Sequence, residues 1–214
     1  MTIYICGDST AASYGPEKAP ITGWGQVLGE FLPGVNIVNH AMAGRSSKSF
    51  LAEGRLIPVE KALQPGDLLL IQFTHNDRSD LTWRHTDPNG SFRNTLSIFV
   101  DTARIHGAIP VLMTPIPLRQ WEEGELVDTH GAYVPAIRQL AMEKNVPLLD
   151  VNAAGMEALR EIGEEAAKPY YMHFEAGVYP AYANGSKDDV HTQLPGAMLY
   201  ARITADLLKA QGLT

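Results

Sequence analysis

Four short polar segments, far apart in this sequence, carry the side chains that acyl transfer through a serine requires: Gly7-Asp8-Ser9-Thr10, Ala43-Gly44-Arg45-Ser46-Ser47-Lys48, Thr74-His75-Asn76-Asp77 and Asp188-Asp189-Val190-His191. Ser9 follows a glycine-bounded turn, where a hydroxyl can stand exposed with backbone N–H groups around it. Asp188 and His191 are three residues apart. One compact turn at that spacing lets the carboxylate hold Nδ1 of the imidazole and leaves Nε2 facing a hydroxyl. The N–H groups of Ser9 and Gly44 and the side-chain amide of Asn76 are donors of the kind that stabilise an oxyanion. Each segment alone has a plainer reading: a turn or N-cap serine, an exposed histidine, a loop carboxylate, a turn-forming asparagine, a glycine needed for positive φ. Together they point to nucleophilic catalysis at Ser9, with His191 as base and Asp188 as its partner.

For these segments to meet, the chain must bring several strand ends to one edge. Apolar, β-rich runs recur at Ile3 to Cys6, Val35 to Val38, Leu68 to Phe73, Ile109 to Met113 and Val146 to Leu149, which predicts five buried strands. Helix-period apolar positions lie between them, with Leu96, Phe99, Val100 and Ala103 on one face and Val134, Ile137, Leu140 and Ala141 on another. Strand and helix alternate, as a parallel sheet with helical crossovers demands, so the fold class is α/β in three layers. Polar residues just past the strands then sit at the carboxyl edge of the sheet, where open α/β folds bind ligands. A closing helix is expected from near Pro195, turning Met198, Ala201, Ala205 and Leu208 inward. Asp77 to Ser91 and Phe174 to Asp189 read as long irregular loops. Residues 1–214 contain no fixed-period repeat and no low-complexity linker, and are expected to form one domain.

Composition narrows the function further. A formal net charge of −7 without a basic run argues against nucleic acid as a partner. Cys6 is the single cysteine, so neither an intrachain disulfide nor a Cys/His zinc framework can form. His75, Asp77, His173 and Asp188 lack a recognised ligand spacing, and no metal is expected. Gly23-Trp24-Gly25 with Gly29 misses the dinucleotide fingerprint by one residue and does not follow a strand. Gly7-x-Ser9-x-Ala11 approaches the nucleophile elbow of α/β-hydrolases, but there the serine follows several strands and the histidine does not lie three residues after the acid. Met1 runs directly into Thr2-Ile3-Tyr4-Ile5 without the pattern of a signal peptide, and no stretch is long enough to span a membrane. A cytoplasmic protein is expected; the oligomeric state is not legible.

The four segments resemble, in order and spacing, the conserved blocks of the SGNH (GDSL-type) hydrolases: Gly7-Asp8-Ser9, the block glycine Gly44, Asn76-Asp77 and Asp188-x-x-His191. The longer stretches Gly44 to Phe50 and Gln72 to Asp77 are similar to those of rhamnogalacturonan acetylesterases. That resemblance implies a flavodoxin-like α/β/α fold and deacetylation of the pectin backbone without a metal or organic cofactor. It also implies Ser9 as nucleophile and first oxyanion donor, Gly44 and Asn76 as the other donors, His191 as base and Asp188 as its orienting acid. The chain departs from the pattern at Thr74, where the family has a glycine, and a β-branched residue there bears on how the Asn76 amide is placed.

The substrate read this way is an acetylated pectin oligosaccharide, with acetylated xylan, a lipid ester or a catalytically silent sugar-binding role as alternatives. Arg45 and Lys48, next to Gly44, are candidates to grip a uronate carboxylate. His75 and Trp83, beside and just after Asn76, are candidates to contact the sugar. The other tryptophans, Trp24 and Trp121, are expected in the core or at its rim.

Overall fold

The computed structural model describes residues 1–214. Five parallel strands, β1 (Thr2–Gly7), β2 (Asn36–Asn39), β3 (Leu68–Gln72), β4 (Ile109–Met113) and β7 (Leu148–Leu149), form one sheet in the order β2-β1-β3-β4-β7. This is the flavodoxin-like order, with the chain reversing direction across the sheet between β1 and β3. Strand alternation divides the core. Ile3, Ile5, Leu68, Leu70, Val111 and Met113 pack on one face against Trp24, Leu28, Leu159, Tyr200, Ala201 and Leu208. Tyr4, Cys6, Leu69, Ile71 and Leu112 pack on the other against Phe50, Val59, Leu96, Phe99, Ile137 and Leu140. Burial on both faces is why these strands read as continuous apolar runs.

The helices on the first face are α1 (Trp24–Val27), α6 (Val151–Ile162) and α7 (Leu194–Ala210); those on the second are α2 (Ser47–Ala52), α3 (Leu56–Ala62), α4 (Ser91–Ile105) and α5 (Tyr133–Lys144). The result is the three-layer sandwich expected from the alternation of elements. The closing helix carries Pro195 in its first turn, where a missing N–H costs nothing. It buries Ala197, Tyr200, Ala201, Thr204, Ala205 and Leu208, while Met198 lies only half-buried at the edge of that stripe. No helix is long and apolar enough to cross a membrane.

Three departures have physical causes. Strand β7 starts at Leu148 rather than Val146 because Val146 bonds back to Ala141 at the end of α5 and Pro147 has no N–H to give. A short hairpin, β5 (Trp121–Glu122) with β6 (Glu125–Leu126), follows the loop after β4. The stretch expected to be loop from Phe174 to Asp189 is instead bracketed by an antiparallel pair, β8 (Tyr171–Phe174) and β9 (Ser186–Thr192). Tyr171 pairs with Thr192 but Met172 with Asp188, so Asp189, Val190 and His191 bulge out of the ladder. That bulge is the compact turn that joins Asp188 to His191.

Candidate active site

The turn after β1 presents Ser9 and is held from several sides. Asp8 Oδ1 accepts from the Thr10 N–H at 2.9 Å and its hydroxyl at 2.8 Å, an Asx turn that fixes the backbone around Ser9. The Tyr14 hydroxyl donates to the Ser9 carbonyl at 2.7 Å, and the Trp24 N–H donates to the Thr10 carbonyl. Ser9 is buried except for its aspect toward a cleft of about 800 Å³ at the carboxyl edge of the sheet.

The bulge in β9 places His191 Nε2 at 2.9 Å from Ser9 Oγ and Nδ1 at 2.7 Å from Asp188 Oδ2. The other carboxylate oxygen, Asp188 Oδ1, accepts from the backbone N–H groups of Val190 (2.8 Å) and His191 (3.0 Å). One carboxylate thus folds the turn and holds the ring. Burial works against ionisation of Asp188, but hydrogen bonding and the charge of His191 outweigh it and hold the carboxyl below its ordinary range. Burial likewise pushes the His191 imidazolium down, yet the bond to Asp188 and the charges of Asp188 and Asp8 leave its pKa above 6.5. Next door, Asp189 does separate work: it accepts from Arg119 at 2.9 Å and lies 2.7 Å from His173 Nε2, pinning β9 to the segment after β4.

Gly44 adopts φ +79° with no atom within 4 Å of where a Cβ would stand, so backbone conformation and not crowding demands glycine. Gly44 lines the cleft together with Ser9 and Asn76. The Asn76 amide donates one hydrogen to the Arg45 carbonyl at 3.1 Å and accepts at Oδ1 from Arg84 at 3.0 Å. That leaves its second N–H free. The guanidinium fixes which end of the amide is oxygen, so Arg84 orients the donor. Thr74 lies buried beneath, its hydroxyl turned to the Phe73 carbonyl. The Asn76 amide is anchored by Arg45 and Arg84 and not by Thr74.

Asp77 connects the second and third segments. Its carboxylate accepts from the Ser47 N–H and hydroxyl (2.6 Å to the hydroxyl) and from Thr86 at 3.0 Å. Ser47 opens α2 just after Gly44, so this contact fixes the Gly44 loop relative to Asn76. Burial pushes the Asp77 carboxyl up to about 6 against these hydrogen bonds. Replacement by alanine would strand the buried Ser47 N–H and the Thr86 hydroxyl, while the Ser47 hydroxyl keeps Thr95, at about 1 to 3 kcal/mol for each unsatisfied group. Asp77→Ala is therefore expected to lower stability by on the order of 3 kcal/mol, read from urea unfolding, and an unchanged midpoint would contradict the role.

The remaining candidates divide. His75 lines the cleft; burial, and after it the neighbouring His130, hold its pKa well below 6.5, so the ring is neutral. Arg45 turns back to Glu53 at 3.0 Å, Lys48 donates to the Thr82 carbonyl at 2.7 Å, and neither lines the cleft. Trp83 is 51% exposed outside the cleft wall, with the Arg84 guanidinium over its ring. The cleft is instead lined by Tyr14, Lys18, Arg78, Arg84 and Tyr182. Arg78 and Arg84 lie in the loop after Asn76, a loop marked as long and irregular by its composition. Tyr182 lies in the other stretch so marked, Phe174 to Asp189, while Tyr14 and Lys18 come from a segment with no local signal for the site.

With this geometry the chain belongs to the GDSL-like lipase/acylhydrolase family, whose profile matches residues 5–192. It is 38% identical over 215 residues to the rhamnogalacturonan acetylesterase RhgT of Bacillus subtilis (strain 168), covering 100% of this chain and 91% of that protein. Among solved structures it is similar to YxiM of Bacillus subtilis, with a TM-score of 0.84 and 27% identity; the match covers 99% of this chain and 56% of the YxiM chain. Axe2, an acetylxylan esterase from Geobacillus stearothermophilus, shares the fold at a TM-score of 0.70 and 18% identity, covering 97% of this chain and 93% of the other.

Proposed function

We propose that this chain is a carbohydrate O-acetylesterase that removes acetyl groups from rhamnogalacturonan oligosaccharides of pectin through an acyl-enzyme on Ser9. The observation that carries the reading is the continuous chain from Ser9 Oγ through His191 to Asp188, at 2.9 and 2.7 Å, opening on the cleft. The full-length likeness to RhgT supports the substrate class. His191 takes the Ser9 proton as Oγ attacks the acetyl carbonyl, and the N–H groups of Ser9 and Gly44 and the Asn76 amide hold the oxyanion. The sugar leaves as an alcohol with the proton from His191. Water, deprotonated by the same ring, then cleaves the acetyl-serine, and the proton returns to Ser9. Residues 1–214 act in this reading as one hydrolase domain.

Acetate release from acetylated rhamnogalacturonan oligosaccharides, compared with acetylated xylo-oligosaccharides and a lipid ester, tests the assignment. Faster turnover of the pectin substrate is expected; preference for xylan or lipid would overturn it. We place the reaction in the cytoplasm, on imported oligosaccharides. Recovery of the protein only outside the cell would refute that placement.

The base must be neutral to accept the Ser9 proton, and the pKa of His191 lies above 6.5. A raised pKa keeps the ring protonated to higher pH, so kcat/KM is expected to fall with acid along a limb whose midpoint lies above 6.5. A rate that stays flat from pH 8 to pH 5 would exclude His191 as the base.

A further inference from the structure

The chain is acidic overall, yet the wall of its cleft is cationic: Lys18, Arg78 and Arg84 line it against a single carboxylate, that of Asp80. Elsewhere the cations are mostly spoken for, as with Arg45 on Glu53, Arg119 on Asp189 and Arg138 on Asp150. Arg84 is committed to Asn76, though its Nε is buried without an acceptor. The side chains of Arg78 and Lys18 have neither an ion-pair nor a hydrogen-bond partner, while the Arg78 backbone is fixed by its bond to Thr74. An unpaired guanidinium lining the same cleft as the nucleophile is suited to a planar anion, which it can hold through two parallel N–H···O bonds.

We propose that Arg78, assisted by Lys18, forms a subsite for a uronic acid carboxylate of the acetylated oligosaccharide. This assigns to the cleft wall the selection of anionic over neutral oligosaccharides, and it rests on the reading of the chain as a carbohydrate acetylesterase. The deacetylation chemistry does not require the carboxylate. Its recognition adds binding energy from a remote part of the substrate and sets which sugar backbone is presented to Ser9. The negative global charge disfavours an anionic substrate at long range, so a local cationic wall is what such a substrate needs.

The test is the ratio of kcat/KM on an acetylated galacturonate-containing oligosaccharide to that on the same oligosaccharide with its carboxyls reduced to alcohols. A charge-assisted hydrogen bond contributes enough that Arg78→Gln should lower this ratio roughly tenfold or more. Lys18→Gln should lower it less, and Arg78→Lys should restore part of it. Lys61→Gln, a substitution on α3 outside the cleft, should keep the wild-type ratio. The preference of the wild type should also shrink as salt is raised. Two results overturn the subsite while leaving the esterase reading intact: a wild type that deacetylates both substrates equally, or a preference that survives in the Arg78→Gln/Lys18→Gln double variant. Hydrolysis of 4-nitrophenyl acetate with no acetate from either oligosaccharide would overturn both the subsite and the carbohydrate reading.

Discussion

Ser9→Ala is expected to lower kcat on 4-nitrophenyl acetate and on acetylated oligosaccharides by about 10⁴- to 10⁶-fold, with the fold intact. The substitution removes one oxygen from a turn whose structure does not depend on it. Asp8 and Thr10 close that turn, Tyr14 holds the Ser9 carbonyl, and the serine hydroxyl contacts only His191. The backbone donors at residues 9 and 44 and the Asn76 amide all remain. What is lost is the atom that carries the acetyl group between the two half-reactions. The residual rate would come from oxyanion stabilisation of direct attack by water, and no acetyl adduct should be detectable by mass spectrometry. A variant with near wild-type turnover and an unchanged unfolding transition would place the chemistry elsewhere in the cleft.

How much of this was legible beforehand follows from where each interaction sits along the chain. The five strands announce themselves because both faces of the sheet are covered: Leu68 to Ile71 are all buried, and only a sequence of apolar residues suits such a place. The order and parallel sense then put Ser9, Gly44 and Asn76 at one edge without any knowledge of side-chain contacts. Strand β9 was hidden for the opposite reason. Its sequence, Ser186-Lys-Asp-Asp-Val-His-Thr192, is polar and mostly half-buried, and it is held by a bulged ladder to β8 and by the ties of Asp189 to Arg119 and His173. Those partners are 70 and 16 residues away, so local pattern cannot show them.

Charge in the cleft misled in a similar way. Arg45 and Lys48 follow Gly44 in sequence, but Arg45 turns back to Glu53 and the Ala43 carbonyl, and Lys48, in the first turn of the helix that begins at Ser47, reaches the Thr82 carbonyl. The cations that do line the wall arrive on the β3 loop and the segment after Tyr14. Proximity in sequence to a site glycine says nothing about the direction in which a side chain points.

Asp188→Asn should cost about 10⁴-fold in kcat although it is nearly isosteric, because the amide cannot satisfy both sets of partners that the carboxylate serves. Oδ1 accepts two backbone N–H bonds, from Val190 and His191, while Oδ2 faces His191 Nδ1. An asparagine keeps the two backbone bonds only with its oxygen toward them, which turns its NH₂ to the imidazole. As a donor, that NH₂ requires Nδ1 to be the unprotonated nitrogen and moves the ring proton to Nε2. The hydrogen then lies on the side of Ser9 Oγ, and the base has no lone pair with which to take the serine proton. The opposite orientation of the amide sets its hydrogens against two backbone donors and unfolds the bulge that carries His191. Loss of the carboxylate charge also lowers the pKa of the imidazole, so the acid limb of any residual activity should move to lower pH. The kinetic signature is a fall in kcat with KM little changed and the unfolding transition preserved. An Asp188→Asn enzyme that keeps more than a tenth of wild-type kcat would show that the carboxylate does not set the tautomer of His191.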